Sequence, residues 1–143
     1  MVDSESFLGR LRARTSIEFD LPTEAQWEYA CRAGTTGKYY WTEAGLATSL
    51  CAWYVSNSGY VTHNVGTKRS NDWGIFDMSG NVSEWCRDWY SSTLAYGNDP
   101  KGAASASYNR RVTRGGCWGE PWTPVEASAQ GGWRFFRVGV EMR

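Results

Sequence analysis

The side chains through which this sequence could do covalent or metal chemistry are few. Four cysteines, Cys31, Cys51, Cys86 and Cys117, and one histidine, His63, are spread over 143 residues. No two of the cysteines form a C-x-x-C, so their spacing encodes neither a zinc ribbon nor a redox dithiol. Two readings stay open for them: small buried apolar thiols, or one or two disulfides of an oxidising compartment. A cysteine nucleophile needs a base within hydrogen-bond reach, and nothing in the spacing brings His63 beside Cys117. Cys117 therefore reads as a small turn residue and His63 as a hydrogen-bonded structural side chain. The other concentration of functional groups is near the end of the chain. There Trp122, Trp133, Phe135 and Phe136 are interleaved with Glu120, Glu126, Gln130, Arg134 and Arg137. Tryptophan and arginine dominate binding hot spots because they combine large contact area with directional hydrogen bonds.

The whole-chain numbers narrow the partners. Fifteen Lys and Arg balance fifteen Asp and Glu, so no global field draws the chain to phosphate, and nucleic acid is not an expected partner. Aromatic residues make up 15% and there are 16 glycines, which describes an aromatic, turn-rich globular chain and not a disordered one. No apolar run approaches the roughly 20 residues that span a bilayer. The stretch from Met1 to Arg14 has no apolar region behind its charges, so neither a membrane span nor an address is expected. A length of this order fits one domain over residues 1–143, able to bury roughly 68% of its unfolded surface.

Two helices must do most of the local positioning. Phe7, Leu8 and Leu11 recur at i, i+1, i+4 with Asp3 or Ser4 available as a cap, which predicts a short helix ending near Thr15. From Leu21 to Gly34 the signal is stronger. Thr23 and Gln26 form a capping box, Pro22 and Trp27 stand where a hydrophobic staple would, and Glu24 complements the positive helix end. Trp27, Ala30 and Cys31 share a face, and Gly34 supplies a left-handed stop. Beyond Gly34 the short aromatic runs Lys38 to Trp41 and Ala52 to Val55 read as brief strands between long loops. Ser91 to Asn109 reads as an exposed excursion, and Arg111 to Arg114 as a strand entering a sharp turn at Gly115 and Gly116. The fold class expected is α+β.

Three segments carry a family resemblance. Leu21 to Ala30 resembles the "LPTEAEWEYA" stretch of the formylglycine-generating-enzyme (sulfatase-modifying factor) family. Trp73 to Trp85, reading WGIFDMSGNVSEW, resembles its "WGLYDMSGNVWEW" signature, and Arg114 to Trp118 its "RGGSW". The resemblance covers Phe7 to Trp118, in the family's order. It implies a compact C-type-lectin fold, with two helices around small twisted antiparallel sheets and long loops, and it places Trp118 in the core. The family portion that precedes the first helix has no counterpart here, which implies a compact version or a fragment.

The family's oxidation of a target cysteine to formylglycine relies on a C-x4-C pair shortly after RGGSW, which suits copper because soft thiolates hold Cu(I). Counted from Trp118, those positions are Glu120 and Val125, so no copper is expected. The iron-dependent sulfoxide synthases of the same superfamily need several histidines, so no iron is expected either. A calcium ion is better supported. Residue-by-residue carry-over of the family site gives Asp77, Gly80, Val82 and Glu84: two carboxylates and two backbone carbonyls gathered by a glycine turn. In the competing account Asp77 and Ser79 cap a turn and Glu84 pairs with Arg87 or Arg114. Asn81-Val82-Ser83 is formally a glycosylation sequon, but its place inside this tight motif makes it a coincidence of spelling.

Beyond Trp118 the chain leaves the family pattern. A divergent, aromatic ending on a retained scaffold is similar to the variable proteins of diversity-generating retroelements, which bind ligands and perform no reaction. The resemblance makes residues 117–143 a candidate variable segment that binds a protein or other macromolecule. Its candidate contacts are Cys117, Gly119, Glu120, Trp122, Thr123 and Glu126. They continue with Gln130, Trp133, Arg134, Phe135, Phe136 and Arg137. The competing account makes Trp133, Phe135 and Phe136 core residues of the last strands, since alternation turns at least one of them inward. The alternative function is a formylglycine-generating-type oxidase, degenerate through loss of the thiol pair.

Overall fold

The computed structural model describes residues 3–42, 44–91, 97–103, 105 and 110–119. Helix α1 spans Phe7–Thr15. Its cap is Ser6, whose hydroxyl accepts from the Gly9 amide at 3.1 Å, and not Asp3 or Ser4. Leu8, Leu11 and Arg12 form the half-buried stripe at i, i+3, i+4, while Phe7 is left exposed. One residue of offset turns a helical side chain by about 100°, which carries Phe7 out of that stripe.

Helix α2, Glu24–Arg32, has the expected capping box: the Thr23 hydroxyl accepts from the Gln26 amide, and the Gln26 side chain accepts from the Thr23 amide, both at 3.1 Å. A second acceptor comes from far along the chain, as Asp88 takes the Glu24 amide at 2.7 Å. The left-handed stop begins one residue earlier than expected, at Ala33 with φ 47°, and continues through Gly34 at φ 93°. Trp27 and Cys31 are buried and Ala30 packs against them.

The described residues hold one two-stranded antiparallel sheet, β1 (Glu84–Trp89) and β2 (Arg111–Arg114), paired Glu84↔Arg114 and Trp85↔Thr113 with an irregularity before Trp89↔Arg111. A one-turn helix α3 covers Thr48–Cys51. The runs Lys38 to Trp41 and Ala52 to Val55 are turns, not strands; Trp53 makes a single bridge to Gly80. The aromatics of the first run are core, with Tyr39 stacked on Trp41 at 4.8 Å and Tyr40 meeting Trp41 edge to face at 4.7 Å, while Tyr54 of the second is half-buried against them. Rings packed in three dimensions bury more apolar area than one face of a strand could, so they close the core around Cys51, Met78, Cys86 and Val112. The excursion after Ser91 is also not free where it is described. Asp99 accepts from the Gln26 side chain at 3.0 Å, and Ala103 bridges to Trp89.

All four cysteines are free thiols, three of them buried and Cys117 half-buried. Burial pushes the Cys31 and Cys86 thiols up from an ordinary 9.0 to about 12, against the pull of Arg114, and raises Cys51 as well. The unfolded chain releases these protons first as pH rises. The stability they confer is therefore intact below about pH 9 and lost as pH climbs from there toward 12. Iodoacetamide at pH 8 is expected to label Cys117 while sparing Cys31, Cys51 and Cys86 until denaturant is added, and the melting temperature should fall progressively above pH 9. Rapid labelling of Cys31 in the native protein would mean an open core.

Candidate functional site

The turn between Asp77 and Glu84 is coiled by three left-handed residues, Asp77 (φ 56°), Gly80 (φ 78°) and Asn81 (φ 61°). Gly80 is required for a second reason, since its backbone lies directly against that of Trp53 and leaves no room for a side chain. The coil brings the two candidate carboxylates to one region. Asp77 accepts from the Gly66 amide at 2.7 Å, and Glu84 accepts from the Trp27 indole N–H at 2.6 Å. Glu84 pairs with neither arginine considered for it: Arg87 reaches toward Asp20 at 3.5 Å, and Arg114 is held by Glu24 and Glu28. Burial raises the Glu84 carboxyl above the usual range, the Trp27 hydrogen bond opposes this, and the charge of Asp77 adds to the rise. The two carboxylates are oxygen donors of the kind calcium takes, but among the described residues no group of three or more His, Cys, Asp or Glu gathers as a metal site. Val82, whose exposed isopropyl side chain carries no donor atom, could offer only its carbonyl.

Asn81 is the residue on which three loops converge. It is 2% exposed, and every polar group it carries is used. Its amide donates to Trp53 O at 2.9 Å, its carbonyl accepts from the Trp118 amide at 3.0 Å, and its side chain exchanges two hydrogen bonds with the His63 backbone at 3.0 and 3.1 Å. A carboxamide so committed is no glycan acceptor. His63 is structural, as expected: its ring stacks on Trp53 at 3.6 Å and its Nε2 lies 2.8 Å from Ser58 O. No described contact joins it to Cys117. The Ser58 hydroxyl donates to Trp118 O at 2.9 Å, so the chain leaving the double-glycine turn is held from both sides. Trp118 itself is half-buried and not a core residue, because these backbone bonds hold it at the surface end of the turn.

Beneath this turn, Arg114 is 4% exposed, with guanidinium nitrogens 3.3 Å from Glu24 and 2.6 Å from Glu28 and its charge 5.5 Å above the Trp27 ring. Glu24 and Glu28 stand one turn apart on α2, so a single helix face grips the end of β2. Sequence reasoning missed Asn81, Ser58 and Trp53. The only local signal was Asn following Gly, a pair that tolerates left-handed backbone. Of the candidate contacts, Cys117 is half-buried and Gly119 exposed. Glu120, Trp122, Thr123, Glu126, Gln130, Trp133, Arg134, Phe135, Phe136 and Arg137 lie outside the described residues.

Residues 4–136 match the sulfatase-modifying factor enzyme 1-like domain. The chain belongs to that family. This sulfatase-modifying-factor-like chain therefore has the α+β, C-type-lectin-like fold that its three motifs implied. Treponema denticola variable protein 1 is 35% identical to it and superposes with a TM-score of 0.64 over 85% of this chain and 41% of its own. The serine/threonine-protein kinase pkn1 of Chlamydia caviae is 38% identical over 103 residues, covering 68% of this chain and 16% of the kinase. The formylglycine-generating enzyme of Streptomyces coelicolor is 35% identical over 113 residues, covering 68% of this chain and 35% of the enzyme. The chain thus spans less than half the length of each of these relatives. Among the described residues, no helix is long and apolar enough to cross a membrane.

Proposed function

We propose that this chain is a non-catalytic ligand-binding module, displaying a diversified C-terminal surface on a C-type-lectin scaffold as the variable protein of a diversity-generating retroelement. The observation that carries the reading is the replacement of the family's thiol pair: the positions counted from Trp118 are Glu120 and Val125. Without two soft thiolates there is no linear Cu(I) site to activate oxygen. The likeness to a variable protein over 85% of the chain supports the same reading. So does the way Asn81, Ser58 and Arg114 brace the chain up to Trp118 from a fixed framework, which lets later side chains change while the base stays in place.

The competing reading, an oxidase of the formylglycine-generating type, is favoured by 35% identity to such an enzyme. One assay separates the two. Incubation with a cysteine-containing sulfatase peptide, copper and oxygen is expected to give no aldehyde; its formation would overturn the binding reading. An adenine-rich near-copy of the DNA encoding Cys117 to Val140, beside a reverse-transcriptase gene, is the genomic observation expected.

Calcium at Asp77, Gly80, Val82 and Glu84 is proposed as a staple of the turn, relieving the repulsion between its two carboxylates. At a calcium concentration 100-fold above the dissociation constant, binding would stabilise the fold by about 2.7 kcal/mol. Chelation is expected to lower the melting temperature accordingly. Asp77→Asn keeps an acceptor for the Gly66 amide but removes a charge, and should remove the response to chelator. An unchanged melting curve on chelation would remove the metal from the account.

A further inference from the structure

The outward face of the sheet carries arginines and tryptophans that the proposed function does not use. Along β1, Cys86 and Asp88 are buried, Trp85 and Arg87 are exposed and Trp89 is half-buried, the alternation of a strand with one face on the core. Trp85 stands opposite Thr113 and Trp89 opposite Arg111. Four steps along β1 thus run beside two along β2, and an excess of two leaves the side-chain parity unchanged. Trp85, Arg87, Trp89 and Arg111 therefore share the outward face.

Arg87 lies midway through this irregularity. A bulged strand ordinarily leaves backbone groups unpaired and re-aims a side chain. Here both groups have partners outside the ladder: the Arg87 amide donates to Pro22 O at 2.8 Å, and its carbonyl accepts from the Arg111 guanidinium. Arg111 in turn lies flat against its neighbour, with its guanidinium carbon 3.5 Å from the centre of the Trp89 ring. The two arginines are thus tied into one surface by contacts among themselves and Trp89. Their charge has little local compensation, although the chain as a whole is neutral. Arg87 reaches Asp20 at 3.5 Å, a carboxylate that Arg12 also approaches at 3.9 Å, and Arg111 has no carboxylate partner among the described residues.

We propose that this face binds an acidic segment of a partner polypeptide, its carboxylates on Arg87 and Arg111 and its apolar side chains against Trp85. The site is independent of the C-terminal segment. Charge complementarity selects the partner, since a planar guanidinium fork matches the two oxygens of a carboxylate. A nucleic-acid backbone is a poorer match, because binding it relies on a track of about 6–10 phosphate contacts and this face has two arginines. Stacking Arg111 on Trp89 beforehand also reduces the ordering cost of binding.

The test titrates a fluorescein-labelled decapeptide of alternating Asp and Leu by fluorescence anisotropy. Its comparisons are the same peptide with Asn for every Asp, and a ten-nucleotide oligothymidylate. The proteins are the native chain, Arg87→Gln/Arg111→Gln, and Arg87→Gln alone in case the double variant does not fold. The Arg87 backbone bonds do not depend on its side chain, so the single variant should keep the native melting temperature. The acidic peptide is expected to bind the native chain roughly tenfold more tightly than the neutral one, and to lose about tenfold on the double variant and roughly threefold on the single one, as two half-exposed ion pairs allow. In about 1 M salt, where screening acts within about 3 Å, most of that preference should vanish. No binding of the acidic peptide, equal binding of the neutral one, or native affinity on a folded variant overturns the site. Tighter binding of the oligothymidylate that is lost on the variants makes nucleic acid the occupant and overturns the polypeptide assignment. So does a native dimer in sedimentation equilibrium that the variants dissolve, because the occupant would then be a second copy.

Discussion

Arg114→Ala is expected to cost about 3–5 kcal/mol, the range for removing one partner of a buried ion pair. Against a total of about 5–15 kcal/mol for a domain of ordinary stability, this leaves the chain near its unfolding threshold. Arg114 is 4% exposed, and its guanidinium answers two carboxylates that are themselves mostly covered, Glu24 at 3.3 Å and Glu28 at 2.6 Å. Removing it takes away the cation that Glu24 and Glu28 share and opens a cavity beside Trp27, leaving Arg32 at 2.9 Å as the remaining guanidinium on Glu28. The charge origin of the loss can be separated from the packing origin. Arg114→Met refills most of the volume, and in a Glu24→Gln/Glu28→Gln background no charge is stranded. The triple substitution should therefore recover most of the melting temperature that Arg114→Ala loses. If Arg114→Ala melts within a few degrees of the native chain, the α2 grip on β2 is not what holds the base of the C-terminal segment.

Gly80→Ala is expected to be nearly as damaging, at about 3 kcal/mol or more. At φ 78° any side chain is strained, by about 1–3 kcal/mol. An added Cβ would also press on the Trp53 backbone, 2.8 Å from its carbonyl carbon and 2.9 Å from its nitrogen, and backbone cannot rotate aside. Gly74 provides the control, since it has nearly the same φ, 75°, but nothing within 4 Å of the added carbon. Gly74→Ala should show the conformational cost alone, about 1 kcal/mol. The difference between the two melting temperatures isolates the clash with Trp53. Because Gly80 donates to Gly115 and Asn81 accepts from Trp118, displacement of this turn should also loosen the base of the C-terminal segment on which the proposed ligand binding depends. Equal losses at Gly74 and Gly80 would show that the Trp53 contact yields easily.

These two sites also separate what was legible in the sequence from what was not. The capping box at Thr23 and Gln26, the buried face of Trp27 and Cys31, the strand at Arg111 to Arg114 and its glycine turn were all readable. Each is fixed by partners within a few residues, where spacing alone dictates geometry. The three motifs likewise carried the fold class. The turns at Lys38 to Trp41 and Ala52 to Val55 were misread as strands, because aromatic content is shared by strands and by ring clusters in a core.

The amino-acid order by itself determined the local units: where α2 starts, which of its faces is apolar, and which strand runs into a left-handed glycine pair; it also puts Glu120 and Val125 at the positions where the family resemblance, counted from Trp118, would set a thiol pair. Only the tertiary structure decided the pairings between distant segments. It gave Glu84 to the Trp27 indole across 57 residues, Asp88 to the Glu24 amide across 64, and Arg114 to Glu28 across 86. It also made Asn81 the junction of three loops. A carboxylate or carboxamide has no sequence signal for its distant partner. Any of several donors could satisfy it, and the choice is made by which one the packed core brings within about 3 Å.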